Sequence, residues 1–210
     1  MLLSMKKNIN ICLFGRHSTQ IDVIEFLNKL KFNKPIIILD KDSTYERDKK
    51  LLSPHNLYGN IEKLQKKGKV IIYKNKDVNS KSFLKFLKRK KINFGLSVSS
   101  RTIFKSNIIR YFRGYFFNLH DSILPIERGG GLNSWRILLN RRKVGNTIHR
   151  IDKGIDTGEI IYQREIKLKK KYPKPIDFDY AQKQNSKIIL MKFLKDLKKN
   201  KIKNSKKQLY

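Results

Sequence analysis

Two polar side chains interrupt an apolar run. Residues 115–125 read Tyr-Phe-Phe-Asn-Leu-His-Asp-Ser-Ile-Leu-Pro, a strand pattern ending in the turn-forming Ser122-Ile123-Leu124-Pro125. Side chains alternate faces along a strand, so Asn118 and His120 point the same way. An amide can donate N–H to a developing oxyanion. An imidazole can carry a proton between two reacting atoms. The same pair could equally tie down the loop that follows. Further along, Thr147–Ile160 enters a tight turn carrying Asp156-Thr157-Gly158 and returns to a strand pattern. That turn offers a carboxylate, although turn chemistry alone explains many Asp-Thr-Gly sequences.

Elements must position these groups, and the pattern predicts them. Strands are expected at Asn8–Phe14, Pro35–Leu39, Lys69–Tyr73, Phe94–Ser99, Tyr115–Leu119, Asn146–Ile151 and Ile160–Ile166, each a short apolar run. Helices are expected after Ser18 as N-cap, with Ile21, Ile24, Phe26, Leu27 and Leu30 apolar, and at Ile61–Lys67, Ser80–Lys90, Ile103–Phe112, Leu132–Asn140 and Phe178–Lys199. Asp40–Gly68 is polar and, apart from that short helix, resists assignment. Asn200–Tyr210 is expected to fray. Alternating strands and helices imply an α/β fold: a mostly parallel sheet with helices on both faces, its site at the carboxyl ends of the strands.

The 210 residues suffice for one sizeable α/β domain with a short appendage. Residues 1–170 are expected to form the catalytic domain, and 171–210 a Lys-rich helical extension packed on it. With 49 Lys and Arg against 17 Asp and Glu, the net charge is +32. That suits an anionic partner such as nucleic acid or a nucleotide, yet Lys spread evenly among abundant Asn and Ile is also what an A+T-rich coding sequence favours. One cysteine, Cys12, excludes a disulfide framework and reads as a buried apolar residue. Four scattered His and one Cys offer no metal-ligand spacing. No apolar run is long enough for a membrane helix, and no secretory signal is seen, so a cytoplasmic protein without a membrane partner is expected.

Two segments in order carry a family resemblance. Asn118-Leu119-His120-Asp121-Ser122-Ile123-Leu124-Pro125 followed by Arg128-Gly129 resembles the Asn-x-His-x-Ser-x-Leu-Pro…Arg-Gly signature of the folate-dependent formyltransferases. Thr147-Ile148-His149, then Asp152-Lys153-Gly154-Ile155-Asp156-Thr157-Gly158-Glu159-Ile160-Ile161, resembles their second signature. The clear resemblance runs from Arg101 to Glu165. It implies a Rossmann-like catalytic domain using N10-formyltetrahydrofolate as co-substrate and no metal. It also implies that Asn118, His120 and Asp156 match the family's catalytic trio. Asn118 would donate to the tetrahedral oxyanion, His120 would stabilise that charge or move the amine proton, and Asp156 would orient the imidazole or a water. The pterin would be held largely by backbone at Arg101, Thr102, Ile103 and Phe104 and at the turn containing Asp152 and Lys153.

The resemblance departs at Gly129-Gly130-Gly131-Leu132-Asn133-Ser134-Trp135, where tRNA-directed members carry an Arg-Gly-Ala-Ala-Pro type of segment. Gly130, Gly131 and Trp135 are therefore candidates to line an acceptor pocket, with loop flexibility the competing reading. Gly15-Arg16-His17-Ser18 is a poor version of the glycine-rich phosphate loop of members acting on glycinamide ribonucleotide. Initiator methionyl-tRNA suits the charge, but members of that branch carry an extra C-terminal domain, and few residues follow Glu165. A nucleotide-linked amino sugar suits both length and loop, which makes a sugar N-formyltransferase of surface-polysaccharide (lipopolysaccharide, O-antigen) synthesis the preferred expectation. A homodimer is plausible. The competing class is a nucleic-acid-binding protein on a dead formyltransferase fold. Sub-micromolar, steeply salt-dependent filter binding to generic RNA supports the binding protein, and release of tetrahydrofolate on adding an amino-sugar nucleotide supports the enzyme.

Overall fold

The structure is a computed structural model that describes residues 8–39, 45–74, 77–169, 172–202 and 206–208. In chain order it runs β1 (Ile11–Phe14), α1 (His17–Lys29), β2 (Ile36–Ile38), α2 (Tyr45–Leu52), a 3₁₀ turn (Ser53–His55), α3 (Ile61–Lys66), β3 (Ile71–Tyr73), α4 (Lys81–Arg89), β4 (Phe94–Val98), α5 (Ser106–Tyr111), β5 (Phe116–His120), α6 (Leu132–Leu138), β6 (Lys143–Arg150), β7 (Ile160–Lys167) and α7 (Pro175–Lys198). One seven-stranded sheet has the order β3-β2-β1-β4-β5-β6-β7. The first five strands are parallel, and β6 runs antiparallel to both of its neighbours, β5 and β7.

β1, β2 and β4 are nearly unbroken apolar runs because both faces are covered. Leu13, Leu96 and Phe117 point to one face, packed by Val23, Ile24 and Leu27 of α1 and by Ile189, Leu190, Phe193, Leu194 and Leu197 of α7. Cys12, Phe14 and Phe116 point to the other, beneath Phe83, Phe86 and Leu87 of α4 and Ile108 of α5. Cys12 is fully buried, which pushes its thiol pKa up. β1 pairs with both β2 and β4, so strand order reverses there, opening a crevice beyond the carboxyl ends. Gly15 makes the turn out of β1 possible. Its φ is +111°, and a Cβ there would lie 2.0 Å from the Val98 carbonyl oxygen.

Several boundaries differ from expectation. α1 starts at His17 with Arg16 as its cap residue, and Ser18 is buried in the first turn instead of capping. α5 starts at Ser106, not Ile103. Asn79 pins the preceding residues in extended form by accepting from the Lys105 N–H and donating to the Ile103 carbonyl. Phe104 meanwhile packs on Phe14 and Phe116. The polar stretch after β2 contains α2, which carries no apolar stripe. Residues 206–208 are held in place: Lys206 and Ile160 exchange two backbone hydrogen bonds of 2.8 and 2.9 Å. His17 and His55 both have partners. His17 Nε2 is 3.8 Å from Asp48 Oδ2, and the His55 carbonyl accepts from Tyr180 Oη.

Among the described residues, no helix is long and apolar enough to cross a membrane. α7 is a core helix: the Phe193 ring meets Phe94, Phe117 and Tyr162. Phe193→Ala should cost about 3–5 kcal/mol of stability in urea unfolding. A loss below about 1 kcal/mol would show that α7 contributes little to the core.

Candidate active site

β5 delivers Asn118 and His120 on one face at its carboxyl end, as the alternation requires. β6 supplies His149 directly opposite Asn118 in the antiparallel register, so their side chains are cross-strand neighbours. The loop between β6 and β7 then returns a carboxylate to the same place. Asp156 Oδ2 lies 3.6 Å from His120 Nδ1 and 3.1 Å from the Gly129 N–H. Its Oδ1 lies 3.4 Å from His149 Nε2 and 3.5 Å from Asn118 Nδ2. The three residues singled out by type and spacing thus converge.

Asp156 adopts φ +54°, the left-handed region, which Asp tolerates better than most residues. The loop is wound by its own side chains. Asp152 Oδ1 accepts from the Gly154 N–H at 3.1 Å and from Thr157 Oγ1 at 2.7 Å. Gly158 passes so close to Arg150 that a Cβ would lie 1.9 Å from its carbonyl oxygen.

Hydrogen bonds fix both imidazoles. His120 Nε2 lies 2.8 Å from the Glu127 carbonyl oxygen. A carbonyl only accepts, so Nε2 carries a proton and Nδ1 faces the Asp156 carboxylate. His149 Nδ1 likewise donates to the Arg150 carbonyl at 2.7 Å. Its Nε2 lies 3.2 Å from Asn118 Nδ2, accepting from the amide when neutral and pairing with Asp156 when protonated. Burial alone would push the Asp156 carboxyl pKa up. The interaction with His149, the charge of His120 and the Gly129 N–H outweigh burial and hold it below the usual carboxylate value.

Glu127 is itself fixed by a buried cation. Arg136 is 1% exposed and grips both carboxylate oxygens of Glu127, Nε at 3.1 Å and Nη2 at 2.5 Å. It also donates to Asn133 Oδ1 and to the Asp121 carbonyl. Arg136, Glu127 and His149 were not singled out in the sequence. His149 sits inside the second signature and would have emerged from pairing β5 against β6. Glu127 and Arg136 lie on different elements, so no periodicity joins them.

The other candidates divide. Gly130 and Gly131 flank open space, with nothing within 4 Å of where a Cβ would stand; Gly129 is the residue of that loop that touches Asp156. Gly129 and Gly131 take φ of +83° and +72°, which explains two of the three glycines by backbone need. Trp135 is exposed on α6. Arg101 pairs with Asp48 at 2.9 Å, Phe104 packs into the core, and Thr102 is half-buried. Ile103 and Ile155 are 69% and 62% exposed, one on each segment expected to hold the pterin; Asp152 and Lys153 are exposed beside Ile155. The crevice at the strand-order reversal has a volume of about 160 Å³ and is lined by Ser18, Thr19, Ser99, Asp121, Asp179 and Lys183 among others. Burial raises the Asp121 and Asp179 carboxyl pKa values, partly offset for Asp121 by His120 and for Asp179 by its bond with Asn133. Among the described residues, no group of three or more His, Cys, Asp and Glu could hold a metal ion.

The sheet is doubly wound, and an amide, two imidazoles and a carboxylate meet at the carboxyl end of β5. The chain belongs to the formyl transferase family, which it matches over residues 8–193. It is 30% identical over 114 residues to the bifunctional polymyxin resistance protein ArnA of Wigglesworthia glossinidia brevipalpis, covering 54% of this chain and 17% of that protein. It is 26% identical over 161 residues to a methionyl-tRNA formyltransferase of Clostridium beijerinckii, covering 76% of this chain and 50% of that one. It therefore spans half or less of these relatives. Among solved structures, it resembles the sugar 3N-formyl transferase WlaRD, determined with dTDP and 5-N-formyl-THF (TM-score 0.73, 24% identity, 96% of this chain and 66% of that one). It also resembles glycinamide ribonucleotide transformylase 1 of Symbiobacterium toebii (TM-score 0.76, 14% identity, 100% and 97%).

The lowered pKa of Asp156 predicts a pH effect. Its folded value lies below its unfolded one, so the ionised carboxylate stabilises the fold above the unfolded value of about 3.9. That contribution is lost as pH falls through the folded value. The difference in unfolding free energy between wild type and Asp156→Asn should therefore be constant near neutrality and shrink below about pH 4. A difference that does not change with pH would contradict the assigned contacts.

Proposed function

We propose that the protein is an N-formyltransferase that moves a formyl group from N10-formyltetrahydrofolate to an amine. The observation that carries this reading is the convergence of Asn118, His120 and Asp156 on one spot. Asn118 Nδ2, which here contacts His149 Nε2 and Asp156 Oδ1, would turn an N–H to the oxyanion formed when the amine attacks. His120 would hold the proton the amine gives up, its ring kept in position by the Glu127 carbonyl and the Asp156 carboxylate. Asp156 would stabilise the imidazolium until the proton passes to N10 of the folate, which leaves as tetrahydrofolate when the bond between the formyl carbon and N10 breaks. The folate supplies the formyl group. Exposed Ile103 and Ile155 offer apolar surface that a flat heteroaromatic ring would cover. Residues 1–170 are read as the catalytic domain and 171–210 as its helical extension.

For the acceptor, a nucleotide-linked amino sugar is the preferred reading. It is supported by the likeness to WlaRD and to the Helicobacter canadensis N-formyltransferase determined with folinic acid and dTDP-3-aminofucose (TM-score 0.72, 21% identity). The cleft lined by Ser18, Thr19, Asp121 and Asp179 offers partners for sugar hydroxyls. A tRNA acceptor is the second reading, favoured by the +32 charge and the methionyl-tRNA formyltransferase relatives.

The test offers N10-formyltetrahydrofolate with a panel of dTDP- and UDP-linked amino sugars, glycinamide ribonucleotide and methionyl-tRNA. Tetrahydrofolate release should occur with an amino-sugar nucleotide. Asn118→Ala should cost about 3 kcal/mol, or at least 100-fold in kcat, and His120→Asn should abolish turnover. His120→Asn with undiminished turnover would overturn the role given to the imidazole.

A further inference from the structure

The C-terminal segment contributes a side chain to the candidate site that neither signature contains. Lys206 adds to the edge of β7 through its two bonds with Ile160, and this carries Gln208 inward until it is 9% exposed. Its amide is saturated. Nε2 donates to the Asp156 carbonyl at 2.9 Å and to the Gly158 carbonyl at 2.7 Å. Oε1 accepts from Arg128 Nε at 3.0 Å and Nη2 at 2.7 Å.

One amide thus joins two loops. Asp156 and Gly158 belong to the loop between β6 and β7, and Arg128 precedes Gly129, whose N–H binds the Asp156 carboxylate. These are the loops that must stay in register for Asp156 to meet His120. Asp156 also stands in the left-handed region with no regular element around it. A backbone so placed keeps its geometry only if its surroundings over-determine it. Only an amide of this length can donate twice to the carbonyls and accept twice from the guanidinium.

We propose that Gln208 is a positioning residue for Asp156, a latch that sets the distance between the candidate carboxylate and His120. This rests on the role given to Asp156 above. Gln208 touches neither of the other two members of the trio, so its loss should act on the rate of the bound complex more than on binding.

The experiment compares Gln208→Ala and Gln208→Glu with wild type in the full chain, measuring kcat, KM and backbone amide exchange. Gln208→Glu keeps the acceptor facing Arg128 but sets a carboxylate against two carbonyls. Both variants should lower kcat by about 10- to 100-fold, the scale of a small misplacement of a reacting group, with little change in KM. Both should also speed exchange at Gly129 and across residues 152–160, while α1 and α4 keep wild-type protection. Wild-type kcat in Gln208→Ala, or full activity in Gln208→Glu, overturns the latch. Equal loosening across the whole molecule also overturns it, because that marks a general structural role. Failure of the formyltransferase reading shows elsewhere, as no release of tetrahydrofolate by wild type with any acceptor of the panel.

Discussion

The site depends on one return of the chain. The loop between β6 and β7 brings a carboxylate back against the end of β5, where an amide and two imidazoles await it. Every group that meets Asp156 there donates a hydrogen bond or carries positive charge when protonated. Together they outweigh the cost of half-burying the carboxylate and keep it ionised. Without that return, Asn118 and His149 would be an ordinary cross-strand polar pair.

Fixing the second partner takes a chain of support. His120 is aimed by a backbone carbonyl, that of Glu127, whose side chain is clasped by Arg136 on α6. Asp121 links the same turn to β6 through Asn146, and Asn146 links onward to Asn185 of α7. Thr147 and Gln163 hold the Ser122–Leu124 turn from the sheet side. A buried guanidinium costs several kcal/mol in desolvation unless its donors are satisfied. Arg136 reaches four acceptors on three residues, Glu127, Asn133 and Asp121, and so ties α6 into the polar layer between sheet and helices. α7 is bound into this layer as well as into the apolar core.

Much of this was legible in the residues, and what was not has physical reasons. The strands of the parallel sheet read clearly because both faces are buried, so Ile11–Phe14, Phe94–Val98 and Phe116–His120 are nearly unbroken apolar runs. Asn118 and His120 stood out against such a run. α2 was missed because most of its residues face solvent and its amphipathic signal is charge-dominated. The start of α5 was placed too early because Ile103 and Phe104 suit a helix face, while Asn79, distant in sequence, holds them extended. Gln208 was unreadable for a similar reason. A polar residue in a Lys-rich stretch looks like solvent-facing tail until the sheet edge and two loops are assembled around it.

The central claim is that the ionised Asp156 carboxylate acts with His120 during the chemistry and does not merely hold the loop. Single-turnover formyl transfer by Asp156→Asn measures this directly, using a variant that keeps the side-chain size and an acceptor for the Gly129 N–H. The account predicts a drop in the rate of the bound complex of at least about 100-fold, with donor affinity retained. Single-turnover transfer at the wild-type rate would contradict it.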